Sequence, residues 1–233
     1  MNTTSLTQSD YEDKPKEYFA GGRSEMLRFV PADCRRVLDV GCGEGAFGAS
    51  LKETGKAEVW GVELLGAAAA KAVGKIDRVI ESSFGPETEL PHGAFDCIVF
   101  NDVLEHLPVP ERALSYARLL LSPEGVIVAS IPNVRHLPVI WQLVVHGAWE
   151  YGDHGLLDRT HLRFFTRSSI RSMFQSEGYA IEQISGINAY VGIPNASRQL
   201  WAAYKLMNAL SFGRIADMKF QQFAVVAKPA PTR

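Results

Sequence analysis

Over the first 130 residues, short apolar runs alternate with stretches of helical period. Arg36-Val37-Leu38-Asp39-Val40 reads as a buried strand that runs into the cluster Gly41-Cys42-Gly43-Glu44-Gly45, followed by a helix from Ala46 to about Thr54. Ala57–Glu63 is a second strand, alanine-rich Gly66–Val73 a second helix, and Arg78–Ile80 a short third strand. Phe95–Phe100 is almost continuously apolar, as parallel strands covered on both faces are. A helix over about Glu111–Leu121 and a strand over Gly125–Ile131 follow. Upstream, Tyr18, Phe19, Met26, Leu27, Phe29 and Val30 predict a helix from Pro15 that stops before Pro31.

The last third breaks this rhythm. Leu137–Ala148 predicts an apolar helix, Glu150–Arg159 a polar loop and Thr166–Glu177 a helix. Tyr179–Ile184 reads as a strand, Ser197–Leu210 as an amphipathic helix and Phe220–Ala227 as a final strand. Strands alternating with helices predict a doubly wound, mostly parallel α/β sheet with right-handed crossovers. Residues 1–14 are expected to form a flexible tail and 15–233 one domain, with cover elements at about 137–166 and 190–212.

Composition narrows the function classes. Hydrophobic residues make up 46% and charged residues 21%, too apolar a mix for disorder. A net charge of -2 gives no electrostatic footprint for a polyanion, so no nucleic-acid partner is expected. Cys34, Cys42 and Cys97 have no metal-type spacing, and a reducing, cytoplasmic setting is expected. No run approaches the roughly 20 apolar residues of a membrane span.

The glycine cluster carries the most information. Glycines at a strand-to-helix turn let the backbone approach a ligand beside the positive end of the next helix. Glu63, ending the second strand, stands where an acid accepts hydrogen bonds from ribose hydroxyls. Gly41-x-Gly43-x-x-Ala46 also satisfies a dinucleotide fingerprint, which keeps a nicotinamide-dependent oxidoreductase in play. Asp39 argues against it, because a carboxylate beside the loop opposes a pyrophosphate but suits a cationic nucleoside. A purely structural use of Asp39, bracing the turn, stands beside that reading.

Val37–Gly45 resembles the first motif of class I S-adenosylmethionine-dependent methyltransferases, and Gly61-Val62-Glu63 their second. Phe95–Leu107 is similar to the fourth-strand motif of the branch that includes the ubiquinone-biosynthesis methyltransferases, and Leu119–Ile127 to the segment before its fifth strand. The resemblance covers about residues 17–187. It implies a seven-stranded Rossmann-like sheet with an antiparallel C-terminal strand, and S-adenosyl-L-methionine as cofactor. By that resemblance Gly41, Cys42 and Gly43 hold the methionine part, Glu63 the ribose, and Leu64 packs on the adenine. A serine stands where the family places an acid for the adenine amino group, so Ser83 and Phe84 are assigned that contact. Asn101, Asp102 and Val103 line the cofactor near its sulfur, and Tyr18 and Arg23 close over its carboxylate.

The resemblance implies methyl transfer to a small-molecule acceptor, with oxygen as the receiving atom. His161 is the expected general base, oriented by Asp158, with His106 as a second possibility; each also has a plain structural use in pinning a loop. No metal is expected: Asp153, His154, Asp158 and His161 have the right chemistry but no recognised ligand spacing. Leu137–Val145 with Trp149 and Tyr151 suits a substrate lid or ordinary packing. The stripe Leu200, Trp201, Tyr204, Leu206 and Met207 suits core, lid or a homodimer face. A protein that binds the cofactor without turnover is the other alternative.

Overall fold

The computed structural model describes residues 14, 19, 21–55, 58–189 and 197–231, without the side chains of 197–201 and 203. Seven strands form one sheet: β1 (Arg36–Val40), β2 (Glu58–Glu63), β3 (Arg78–Glu81), β4 (Phe95–Asn101), β5 (Leu121–Pro132), β6 (Tyr179–Ala189) and β7 (Phe220–Pro229). Their order is β3-β2-β1-β4-β5-β7-β6. β1 to β5 pair in parallel, and β7 runs antiparallel between β5 and β6.

Helices α1 (Ala46–Glu53), α2 (Gly66–Ala72), α3 (Pro110–Leu120), α4 (Leu137–His146), α5 (Arg167–Ser176) and α6 (Ser197–Leu210) connect the strands. Alternate strand residues point to opposite faces, so two cores flank the sheet. Leu38, Phe100, Leu114 and Phe174 belong to one. Val37, Val99, Met26, Phe47 and Leu51 belong to the other. The chain leaves β1 toward β2 and β3, then returns to lay β4 on β1's other side. That reversal opens a crevice at the carboxyl ends of β1 and β4.

The structure departs from the sequence reading near the N-terminus. Of the helix expected from Pro15, residues 15–18 and 20 lie outside the described residues, and Ser24–Phe29 forms a 3₁₀ turn, preceded by Arg23 in the left-handed region at φ 43°. Gly21 and Gly22 favour no helical backbone. β6 also extends past Ile184, because Ser185 to Ala189 continue the pairing with β7.

Candidate active site

Each element ends where the crevice needs it. β1 delivers Asp39 and the turn Gly41–Gly45. Gly41 lies at φ +68° and Gly43 at φ +54°, a region that side chains disfavour. A Cβ on Gly43 would stand 2.7 Å from the Phe19 carbonyl oxygen, and one on Gly41 would stand 2.8 Å from a Val103 methyl. The loop is therefore glycine by conformation and by space.

Backbone and carboxylate hold the turn together. Gly41 and Cys42 N–H groups donate to the Val62 carbonyl at 2.8 and 3.2 Å. Glu63 accepts from Gly43 N–H at 2.8 Å through Oε2 and from Leu65 N–H at 2.9 Å through Oε1. Asp39 does not share this work: it is buried and, among the described residues, its Oδ2 has no hydrogen-bond partner. Burial, then the neighbouring Glu63 charge, pushes the Asp39 carboxyl up to about 8. Burial also raises Glu63, opposed by its backbone hydrogen bonds. Both amide atoms of Asn101, at the end of β4, are likewise buried and without partners. Unpaired buried polar groups cost free energy, and these line one cavity of about 520 Å³.

That cavity runs between the strand ends and the segment after α4. Arg23, Asp39, the Gly41–Gly43 backbone, Glu63, Leu64, Ser83, Phe84, Asn101, Asp102 and Val103 all line it. Tyr18 lies outside the described residues. Arg23 is engaged inside the protein, its Nη1 2.8 Å from Asp102 Oδ2 and its Nη2 donating to Gln222 at 2.9 Å. Ser83 donates to Glu87 at 3.0 Å. Phe84 sets its ring edge-on to Phe100 at 5.5 Å between centroids, so it forms a wall of the cavity.

At the other end, the 3₁₀ turn Leu104–His106 meets residues 155–163. Leu162 and Arg163 N–H groups both donate to the Glu105 carbonyl, at 2.9 and 3.0 Å. This places His161 edge-on to His106, with ring centroids 4.7 Å apart. His161 Nδ1 lies 3.1 Å from the Leu156 carbonyl, and His106 Nδ1 3.1 Å from the Thr160 carbonyl. A carbonyl only accepts, so each Nδ1 carries a proton and the neutral ring's Nε2 is basic. Burial, then His161, lowers His106 to about 4; burial lowers His161 as well.

Asp158 corrects the sequence reading. The Leu156 carbonyl, not Asp158, orients His161. Asp158 Oδ1 instead pairs with Lys14 and accepts from the Thr160 N–H and hydroxyl at 2.8 and 2.7 Å. Burial acts to raise its carboxyl, but the hydrogen bonds from Lys14 and Thr160 outweigh that and hold it low.

Sequence reasoning passed over Glu105. Its side chain is fully buried, neither oxygen has a hydrogen-bond partner among the described residues, and Oε1 lies 4.0 Å from His161 Nε2. Burial, with Asp102 adding, raises its carboxyl well above the usual range. An acid directly before His106 was the available signal, but its orientation depends on the strand exit. Glu105, His106 and His161 offer ligand atoms within 4.8 Å of one another. Among the described residues it is this cluster, rather than Asp153 and His154, that has the geometry to hold a cation. Asn188, Gln221 and Gln222, from β6 and β7, complete the lining and were also unforeseen.

Comparison with known proteins agrees with this geometry. A family model described as a methyltransferase domain matches residues 8–184. The ubiquinone biosynthesis O-methyltransferase of Burkholderia thailandensis is 31% identical over 165 residues, covering 66% of this chain and 68% of that protein. Its Chromobacterium violaceum counterpart is 31% identical over 193 residues, covering 76% and 79%. The crystal structure of a SAM-dependent methyltransferase from Archaeoglobus fulgidus superposes with a TM-score of 0.66 at 23% identity, covering 91% of this chain and 97% of that one. With its loop, acids and cavity in place, the chain belongs to the methyltransferase domain family.

Proposed function

We propose that the chain is an S-adenosylmethionine-dependent methyltransferase that moves a methyl group to an oxygen of a small-molecule acceptor. The observation that carries this reading is one cavity with unpaired acids Asp39 and Glu105 at its two ends. When bound, the cofactor supplies a methyl group activated by a positively charged sulfur. A cation beside Asp39 favours its ionised form, whereas a pyrophosphate there would oppose it, and the methyltransferase family match sets the oxidoreductase reading aside.

The chain's own residues then divide the work. Asp39 and the Asn101 amide offer their unpaired atoms to the cofactor's amino-acid end. Glu63, fixed by its two backbone bonds, keeps lone pairs for the ribose hydroxyls. Leu64, Ser83 and Phe84 would flank the base, and Arg23 would meet the cofactor carboxylate. His161 Nε2 takes the acceptor's proton as the oxygen attacks in line, and Glu105 faces the imidazolium that results. Residues 15–233 act as one domain in a reducing cytoplasm, which suits the buried free thiols of Cys34, Cys42 and Cys97.

Isothermal titration with S-adenosylmethionine tests the first half. Transfer of a labelled methyl group to a panel of hydroxylated aromatics, sugars and amines tests the second. Binding without any product would make the chain a cofactor-binding protein; products methylated only on nitrogen would overturn the oxygen assignment.

A second reading of the same end rests on the ligand geometry of Glu105, His106 and His161. A divalent cation held there would lower the acceptor hydroxyl's proton affinity directly. Loss of turnover in chelator, restored by one added metal, supports it; turnover indifferent to chelator favours His161 acting alone.

A further inference from the structure

Gln222 lies on β7 between β5 and β6, in register with Pro132 of one and Ile187 of the other, and it lines the cavity. Its amide is engaged at both ends. Nε2 donates to Asp102 Oδ1 at 2.7 Å, while Oε1 accepts from Arg23 Nη2 at 2.9 Å and from Asn188 Nδ2 at 2.8 Å. Only this orientation is favourable. Turned over, the amide would set its N–H groups against two donors and its oxygen against a carboxylate. Neither a glutamate nor an apolar side chain can make both contacts.

The residues joined by this amide share an uncommon backbone state. Among the described residues, Arg23, Asp102, Asn188 and Phe212 have positive φ without being glycine. The first three, at 43°, 54° and 51°, meet at Gln222. Asp and Asn enter that region readily, whereas a long side chain such as Arg does so seldom. Such a conformation persists where surrounding contacts hold it.

Those contacts differ in what they hold. Asp102 has a second anchor, the buried Ser130 hydroxyl, which donates to its Oδ1 at 3.1 Å. Arg23 is held by Asp102, by Gln222 and by the Glu25 carboxylate 3.4 Å from its Nε. The distinct contribution of Gln222 is therefore to Arg23. Among the described residues, Arg23 is also the one Lys or Arg side chain that lines the cavity. A guanidinium has five N–H donors, and the Nε of Arg23 makes no hydrogen bond. Donors remain for an incoming anion while Asp102 and Gln222 keep their hold.

We propose that Gln222 is a positioning residue for the cofactor: by bridging Asp102 and Arg23, its amide holds the guanidinium where it meets the cofactor carboxylate. This rests on the assignment of Arg23 to that carboxylate. It adds that β7, more than 190 residues further along the chain, governs how tightly the amino-acid end of the cofactor is held.

Titration calorimetry of the full chain with S-adenosylhomocysteine and with methylthioadenosine tests this without any turnover. The second ligand keeps the nucleoside and the sulfur but lacks the carboxylate. Gln222→Met keeps the length of the side chain and removes the amide. It is expected to weaken S-adenosylhomocysteine binding about tenfold, the scale of a hydrogen bond to a charged group, and methylthioadenosine binding less than about twofold. Arg23→Met should lose at least as much, on the same ligand alone. The double variant is expected to lose no more than Arg23→Met does, because Gln222 acts through Arg23. A merely structural role would weaken both ligands together, so equal losses overturn the proposal. Fully additive losses in the double variant do the same. Should Arg23→Met leave S-adenosylhomocysteine binding unchanged, the carboxylate assignment falls and the proposal with it. Should Arg23→Met weaken it and Gln222→Met not, the positioning role alone falls.

Discussion

Glu105 Oε1 lies 4.0 Å from His161 Nε2, and among the described residues the Glu105 carboxyl has no hydrogen-bond partner although it is fully buried. A hydroxyl oxygen can bond to both groups at once across that gap. The pair therefore forms the natural seat for the acceptor atom. His161→Ala is expected to reduce kcat by about 10²–10⁴-fold, the usual contribution of a positioned base. Cofactor affinity should stay within twofold or so. Glu105→Gln keeps the shape and is expected to reduce kcat less than His161→Ala does. Single-turnover kinetics with the two variants checks the assignment, and normal turnover in His161→Ala would sink it.

Glu63 ties the glycine loop to the end of β2 and presents lone pairs to the cavity. Glu63→Ala should weaken S-adenosylmethionine binding by roughly 1–3 kcal/mol, the cost of a lost charged acceptor. Titration calorimetry reads this directly. An unchanged dissociation constant would remove Glu63 from the site.

Asp39 gives a pH dependence of known sign. Its carboxyl rises from 3.8 to about 8 in the folded protein, mainly through burial. The unfolded chain then releases a proton that the folded chain keeps, so stability without cofactor falls as pH rises between those values. A cofactor cation beside Asp39 favours the ionised form and offsets that loss. The thermal shift produced by S-adenosylmethionine should therefore be larger at pH 8 than at pH 6. Asp39→Asn should flatten the difference; a shift independent of pH in the native protein contradicts the placement of the cation.

Gly43→Ala asks two things of the loop: a side chain at φ +54° and a Cβ 2.7 Å from the Phe19 carbonyl oxygen. Backbone strain of this kind costs about 1–3 kcal/mol, and the Phe19 contact adds displacement. A lower melting temperature and weaker cofactor binding are both expected. A variant that melts and binds like the native protein would show that the loop is slack.

Asp158 joins Lys14 to the segment that carries His161, with both side chains largely out of solvent. Removing one partner of a buried pair leaves the other uncompensated, at about 3–5 kcal/mol. Asp158→Asn should therefore destabilise the protein strongly. In the native protein this contribution is present above the ordinary carboxylate range and is lost as pH falls through the lowered value. Denaturant melts of both proteins at neutral and acid pH measure it, and equal midpoints at neutral pH would refute the role.

The strand periodicities, the glycine turn, and the placing of Asp39 and Glu63 at one cavity were readable because each lies within one βαβ segment. There, alternation and spacing alone decide which face and which end a residue occupies. Relations between distant segments were not readable. Glu105 meets His161 only because Leu162 and Arg163 dock their N–H groups on the Glu105 carbonyl. Asp158 satisfies Lys14 and Thr160, and leaves His161 to the Leu156 carbonyl, because residues 152–161 hydrogen-bond largely among themselves. Asn188 and Gln222 reach the cavity through the β6–β7 pairing. Local backbone preference is written residue by residue, but which polar group finds which partner is settled by long-range packing.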